Sequence, residues 1–295
     1  MRPLRQSLLP RAAVLGLAFA GVAVTPPAAS AAGPVASRPI RCGDAVTHDV
    51  VLDHDLLDCP QDGLVVAAPN ITIDLGGHVV DGTGSETSAG IAIRRSGVTV
   101  QNGVIMQFGR GVVVTAAAHT RIVNNTIARN AAEGVLSDRT SLGTLIAGNR
   151  VSGNGAILPG RKATPATQWA DGIDTRGSDA RITGNVVDGN RDDGIDVGGT
   201  GVRVENNAMI GNGADGVDTD GVGTRIENNT AFGNGDDGIG IGRHAERPVI
   251  KGNTANRNRD LGIQALPTTR VVVDGGANRA RGNGDKRQCV RVRCS

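Results

Sequence analysis

Three aspartates, Asp174, Asp196 and Asp218, follow one another at a step of 22 residues, each two positions after a glycine. The same offset then holds Gly240 and Gln264. A second set of acids, Asp171, Asp193, Asp215 and Asp237, stands immediately before those glycines, and Asp192 precedes Asp193. Asp220 lies one alternate position beyond Asp218, and Arg176 holds the equivalent place two repeats earlier. Carboxylates in such a row can hold a cation, keep a proton suited to general acid catalysis, or simply face solvent. Ca²⁺ is the cation an all-oxygen set would take, although the sequence demands no cofactor. Asp171, Asp192, Asp193, Asp196 and His244 are the catalytic candidates. Asp174, Arg176, Asp218, Asp220, Arg243 and Trp169 are the substrate-binding candidates. His48, His54, His78 and His119 are isolated and read as structural, and zinc spacing, phosphate-binding loops and triad signatures are absent.

The elements that would hold these residues are written in the same period. Gly172, Gly194, Gly216 and Gly238 are each 22 residues apart, and Gly262 follows after 24. Asn185, Asn207, Asn229 and Asn253 lie nine residues before Gly194, Gly216, Gly238 and Gly262. A second column, Asn190, Asn212, Asn234 and Asn258, lies five after the first. Ile182, Val204, Ile226 and Ile250 stand three residues before the first Asn. Apolar alternation over three to five residues predicts short strands, and Asn and Gly mark turns because they tolerate positive φ. One turn per 22 residues suits a parallel coil in which each strand lies about 4.8 Å from its copy one coil on. Identical residues then stack, and asparagines can chain their amides along the stack. Alternation turns Ile173, Ile195 and Val217 inward and Asp174, Asp196 and Asp218 outward on one face. Roughly ten coils from about residue 48 to 285 would make a rod about 48 Å long at that spacing.

Composition agrees with such a coil. Of 295 residues 44 are Gly, with three Phe, one Trp and no Tyr, so the core must be built from Ala, Val, Ile and Leu. Charge is balanced, 31 basic against 29 acidic residues, which argues against disorder and against a nucleic-acid partner. A basic start, an apolar run from Ala12 to Val24 and Ala29-Ser30-Ala31 predict a secretory signal over 1–31, and no stretch is long enough to span a membrane. The expected product is exported and monomeric, with 28 basic and 29 acidic residues. Its parts are a cap region 32–47, the coil 48–285 with an inserted loop over 155–170, and a basic tail 286–295. Cys42/Cys59 and Cys289/Cys294 are sequence-local pairs; of three formal pairings, stapling each end is the simplest in an exported chain. The inserted loop carries the only Trp, Trp169, and is expected to overhang the acidic face, where a sugar chain would bind.

The repeat, together with Asp58-Cys59-Pro60 and Ile73-Asp74-Leu75-Gly76-Gly77-His78, resembles the right-handed parallel β-helix superfamily of pectate-lyase-like folds. The resemblance covers nearly all of the mature chain. It implies an all-β, single-stranded right-handed solenoid and an extracellular polysaccharide as partner, but not a single chemistry. Within it, polygalacturonase-type hydrolases resemble the chain at Asp171-Gly172-Ile173 and Asp192-Asp193-Gly194-Ile195. That match implies Asp171, Asp192 and Asp193 as acid and base of glycoside cleavage. The G-H-G of those hydrolases falls on Asp215-Gly216-Val217 here, and their R-I-K has no counterpart beyond the composition of Gly242-Arg243-His244. A lyase or epimerase reading would use Arg176, Arg243 and His244, although the epimerase D-P-H-E pattern is absent. The other alternative is a non-catalytic interaction module, including the exported β-helices that help assemble copper enzymes; three Met and scattered His leave no obvious copper set.

Overall fold

A computed structural model describes residues 39–155 and 170–295. The expected signal segment, Trp169 and most of the inserted loop lie outside the described residues. The described chain winds as a right-handed parallel β-solenoid of about ten turns. Its strands form three sheets, of 11, 10 and 10 strands, in each of which every neighbour lies one coil further along the chain. The first sheet runs from Asp44–Val46 to Cys289–Val290, the second from Val50–Val51 to Val273–Gly276, the third from Leu56–Cys59 to Arg279–Arg281. The coil therefore begins before residue 48 and takes in part of the tail beyond 285. Among the described residues no helix is long and apolar enough to cross a membrane.

Register explains the repeat. In the first sheet Ile173, Ile195, Val217, Ile239 and Ile263 pair in sequence, and all are buried. The strands of this sheet bury their first and third residues and turn the middle one out, as in Ile195-Asp196-Val197. In the other two sheets only the central residue points in, giving the columns through Ile182, Val204 and Ile226 and through Val187 and Met209. With so narrow a bore, aliphatic residues fill each layer, which accounts for the scarcity of rings. Phe108 is the exception, fully buried where Gly63, Gly82 and Gly90 leave room for its ring.

Both asparagine columns form continuous ladders. The Asn185 backbone N–H and Nδ2 both donate to Oδ1 of Asn207, at 2.9 Å each, and Asn207 does the same to Asn229. Each Nδ2 also donates to a carbonyl one coil back, Ile182 in the case of Asn207. The second ladder runs from Asn130 through Asn190, Asn212 and Asn258 to Asn283 and ends on Gln288 Oε1. The ladders bridge the inserted loop, with Asn149 bonded to Asn185 and Asn154 to Asn190. Disulfides join Cys42 to Cys59 and Cys289 to Cys294, one at each end.

Asn207→Ala strands the buried amide of Asn185 and the Ile182 carbonyl, so it should cost about 2–4 kcal/mol in urea unfolding. The exposed Asn206, with φ of 58°, should accept Gly within about 0.5 kcal/mol. Equal effects at the two positions would show that the ladder adds nothing beyond the turn.

Candidate functional site

The acids before the repeat glycines form a third ladder, running the opposite way to the asparagines. Asp171 Oδ1 accepts the backbone N–H of Asp193 at 3.0 Å. Asp193 accepts from Asp215, Asp215 from Asp237 and Asp237 from Leu261, each at 2.7 Å. One oxygen of every carboxyl is thereby committed to the turn of the following coil. The other lies along the edge of a groove over the first sheet.

The stripe Asp174, Asp196 and Asp218 pairs in direct register one residue inside that edge. All three are expected on the outward face, but Asp174 is covered and 0% exposed. Its carboxylate is taken by Arg176, with Nε 3.2 Å from Oδ1 and a terminal nitrogen 2.6 Å from Oδ2. An arginine two residues on points to the same face of an extended chain and reaches back over it. Asp196 and Asp218 are half-buried and line the groove beside Asp192 and Asp220, in a space of about 500 Å³. Asp236 and Asp237 also line it, and Arg176, Arg243 and Gln264 supply its non-acidic polar side chains. His244 is not in that wall, but its Nδ1 lies 3.2 Å from Asp220 Oδ2 and its backbone N–H donates to Asp220 Oδ1 at 3.0 Å.

Two glycines shape the groove. A Cβ on Gly240 would collide with Asp215 Oδ2, and one on Gly242 with Asp220 Oδ1. Losing the stripe acid at 240 therefore lets the carboxyls of the preceding coil lean across the notch. Asp215 thus joins the wall although the sequence reading gave it no role; the readable signal was the break from Asp to Gly in one column while its neighbour stayed acidic. Asp171, Asp192, Asp193, Asp196, Asp218, Asp220, Arg176 and Arg243 are all brought together in the wall. Asp174 is drawn beneath Arg176.

Burial and mutual repulsion push these acids up. At 4.8 Å two carboxylates repel by about 3.5 kcal/mol at an effective dielectric of 20. Desolvation, then Asp193, raise Asp171 to about 10. Desolvation, then Asp218, raise Asp193 to about 8. Burial takes Asp215 well above the carboxylate range and Asp237 to about 7. In the stripe Asp196 reaches about 7 and Asp218 about 6, again chiefly by desolvation. Near neutrality most of the ladder is therefore protonated. Oxygens of Asp171, Asp174 and Asp196 come within 4.8 Å of one another, as do those of Asp236, Asp237 and Asp260. In the first group Arg176 pairs with Asp174, whose pKa burial nonetheless holds above the ordinary carboxylate value.

Residues 168–290 match the family model described as the right handed beta helix region. Among solved structures, the chain is similar to a periplasmic alginate epimerase at 14% identity and a TM-score of 0.59, covering 80% of this chain and 66% of that one. A pectate lyase aligns at 16% identity and 0.55, covering 86% and 70%. An alginate lyase from Paenibacillus sp. strain FPU-7 aligns at 18% and 0.50, covering 86% and 96%. The chain thus spans just under two thirds of the epimerase's length. No curated protein sequence matches it significantly.

The proton-holding ladder carries a stability signature. These groups bind protons in the folded chain up to pH about 7–10, but in the unfolded chain only up to the ordinary value of 3.8. The folded state then holds more protons, and stability falls as pH rises through that window, by about 1 kcal/mol per pH unit for each such proton. Asn at position 193 keeps the Oδ1 acceptor and has no proton to lose. Asp193→Asn should therefore match the parent near pH 4–5, exceed it at pH 9, and show a shallower fall in Tm between them. A parent Tm that stays flat or rises from pH 5 to 9 would refute protonated storage in the ladder.

Proposed function

For a chain with the pectate-lyase-like right-handed β-helix fold, we propose a polysaccharide-active role, with the glycan laid in the first-sheet groove and cleaved hydrolytically by paired aspartates. The observation that carries this reading is the pair Asp218 and Asp220, two residues apart on one wall and unlike in surroundings. Asp218 is held up to about 6 by desolvation and then by Asp220, which suits it to protonate a leaving oxygen. Asp220 is oriented by two nitrogens of His244, which suits it to serve as base or nucleophile. Asp196 extends the wall one coil back and Arg176 and Arg243 flank it, so sugar hydroxyls meet both donors and acceptors. Asp171 and Asp193 act here through the turn ladder, as positioning residues. The two disulfides support a location outside the reducing cytoplasm, where such polymers occur. Pectate lyase, alginate lyase and alginate epimerase relatives of the fold lend support to a polysaccharide as the substrate class.

A uronate lyase or epimerase is the second reading, favoured by Arg243 in the wall and by His244 fixed through Nδ1, which leaves Nε2 to take a proton. Protonated ladder acids reduce the repulsion that a uronate would otherwise meet.

A panel of neutral and uronate polysaccharides, read by reducing ends and by the ultraviolet absorbance of unsaturated products, separates these readings. Hydrolysis gives reducing ends without absorbance. Asp218→Asn should lower the rate by about 10²-fold or more with an unchanged Tm, and Asp193→Asn should stay within a few-fold. The alkaline limb of the pH profile should fall near 6, as Asp218 loses its proton. Unsaturated products abolished by His244→Gln would replace hydrolysis with elimination. Silence across the panel, with the fold intact, would overturn catalysis.

A further inference from the structure

A separate feature lies on the third sheet, towards the C-terminal end. Its outward column runs Asp188, Ile210, Phe232, Asn256, Arg281 in direct register. Ile210 is 42% and Phe232 39% exposed, an apolar step on a face whose column is polar on either side. The residue after each strand has positive φ and is Gly at 189, 211, 233 and 282, but Arg at 257, with φ of 56°. The flanking glycines leave the edge of Phe232 uncovered. Arg257 leans one coil back and places its guanidinium carbon 5.5 Å from the centre of the Phe232 ring. This cation–π contact fixes the direction of its remaining donors. Phe232, Asn256, Arg257, Arg281 and Gly282 together line a depression of about 500 Å³.

The electrostatics of the rod change sign at this place. Residues 170–246 hold fifteen acids against six arginines, whereas residues 247–295 hold eleven Lys and Arg against three Asp. Arg257, Arg279 and Arg281 are exposed, and none forms an ion pair among the described residues. An apolar ring edge beside one guanidinium held by the ring and others without an ion pair has the chemistry of a receptor for a flat ring that carries a carboxylate. The C–H face of a pyranose would meet Phe232 and Ile210, and its carboxylate would meet the guanidinium groups of Arg257 and Arg281. Arg281 stands in the column of Phe232 and Asn256, and Arg257 in the next one, so the two guanidinium groups sit on adjacent columns of neighbouring coils, about 4.8 Å apart along the rod.

We propose that Phe232, Asn256, Arg257 and Arg281 form an accessory, non-catalytic binding site for an anionic, uronate-containing polysaccharide, on a different sheet from the groove. The site is independent of whether the groove is catalytic.

The test uses the full chain in affinity electrophoresis and calorimetry with galacturonate and alginate oligomers, neutral β-glucan oligomers, and duplex DNA as a non-sugar polyanion. Uronate oligomers should bind with an affinity that depends on Arg257 and Arg281, and any binding of neutral oligomers in the groove should be indifferent to both. Arg257→Gln and Arg281→Gln should each weaken uronate binding about tenfold. Phe232→Ala should weaken uronate binding but leave any DNA binding unchanged, and Arg121→Gln, on the second sheet, should change neither. Asp218→Asn should leave the accessory affinity intact while abolishing turnover, so loss of one function is separable from loss of the other. Uronate binding that survives Arg257→Gln and Arg281→Gln but disappears in Arg243→Gln would overturn the proposal and place the sugar in the groove. DNA and uronate binding of equal strength, both indifferent to Phe232→Ala, would overturn it as a sugar site. Absence of uronate binding by the parent chain, folded by circular dichroism, would also overturn it.

Discussion

Everything in this molecule follows from the requirement that each coil rest in register on the one before it. A parallel stack at about 4.8 Å forces like onto like, and only some residue types gain from that. Isoleucine and valine gain by filling a narrow bore. Asparagine gains because one amide both accepts and donates, so Asn185, Asn207 and Asn229 satisfy one another without a terminating partner inside the stack. Even the ends obey the rule, since the second ladder closes on the amide oxygen of Gln288.

Carboxyls are the residues that lose by stacking, and the site grows from that conflict. An ionised acid has acceptors only, and its neighbour one coil away is a like charge. Three separate solutions coexist within a few coils. The turn ladder gives each carboxyl a backbone N–H and keeps a proton on most of its members near neutrality. Asp174 is paired with Arg176, which offsets part of the cost of its burial. Asp220 is steadied by His244, over a glycine that makes space for it. Asp196 and Asp218 have none of these remedies in full. They are left half-buried in the groove wall with their protons held near the physiological range. Reactive capacity belongs where compensation is incomplete.

This division was only partly legible in the sequence. Period, strand placement, inward and outward faces, both asparagine columns and the two disulfides could be read directly, because a solenoid writes its register into the spacing of Gly172, Gly194 and Gly216. The convergence of the acids on one face was legible for the same reason. What spacing could not express was the direction in which a side chain leans along the rod axis. Asp193 reaches forward to the N–H of the next coil, whereas Asn207 accepts the N–H of Asn185 and Arg257 reaches Phe232, both one coil back. That choice depends on rotamers and on whether the adjacent coil offers a glycine. Hence Asp171 and Asp193, singled out by motif likeness, carry turn bonds, while Asp215 entered the wall unannounced.

The separation of charge along the rod follows from the same geometry and gives it a use. Each column of a solenoid can drift in identity without disturbing the others, because its contacts are with its own copies one coil away. An acidic run can therefore occupy the first sheet while basic residues gather in the C-terminal coils, neither of them costing the core anything. A polymer that is long compared with one coil can meet both faces of such a rod. Uronate-rich stretches would be held by Arg257 and Arg281, while an uncharged or neutralised stretch lies against carboxylic acids that keep their protons. The two surfaces differ in charge because the aspartates stack in one column, whereas Arg257 and Arg281 stand on adjacent columns beside Phe232.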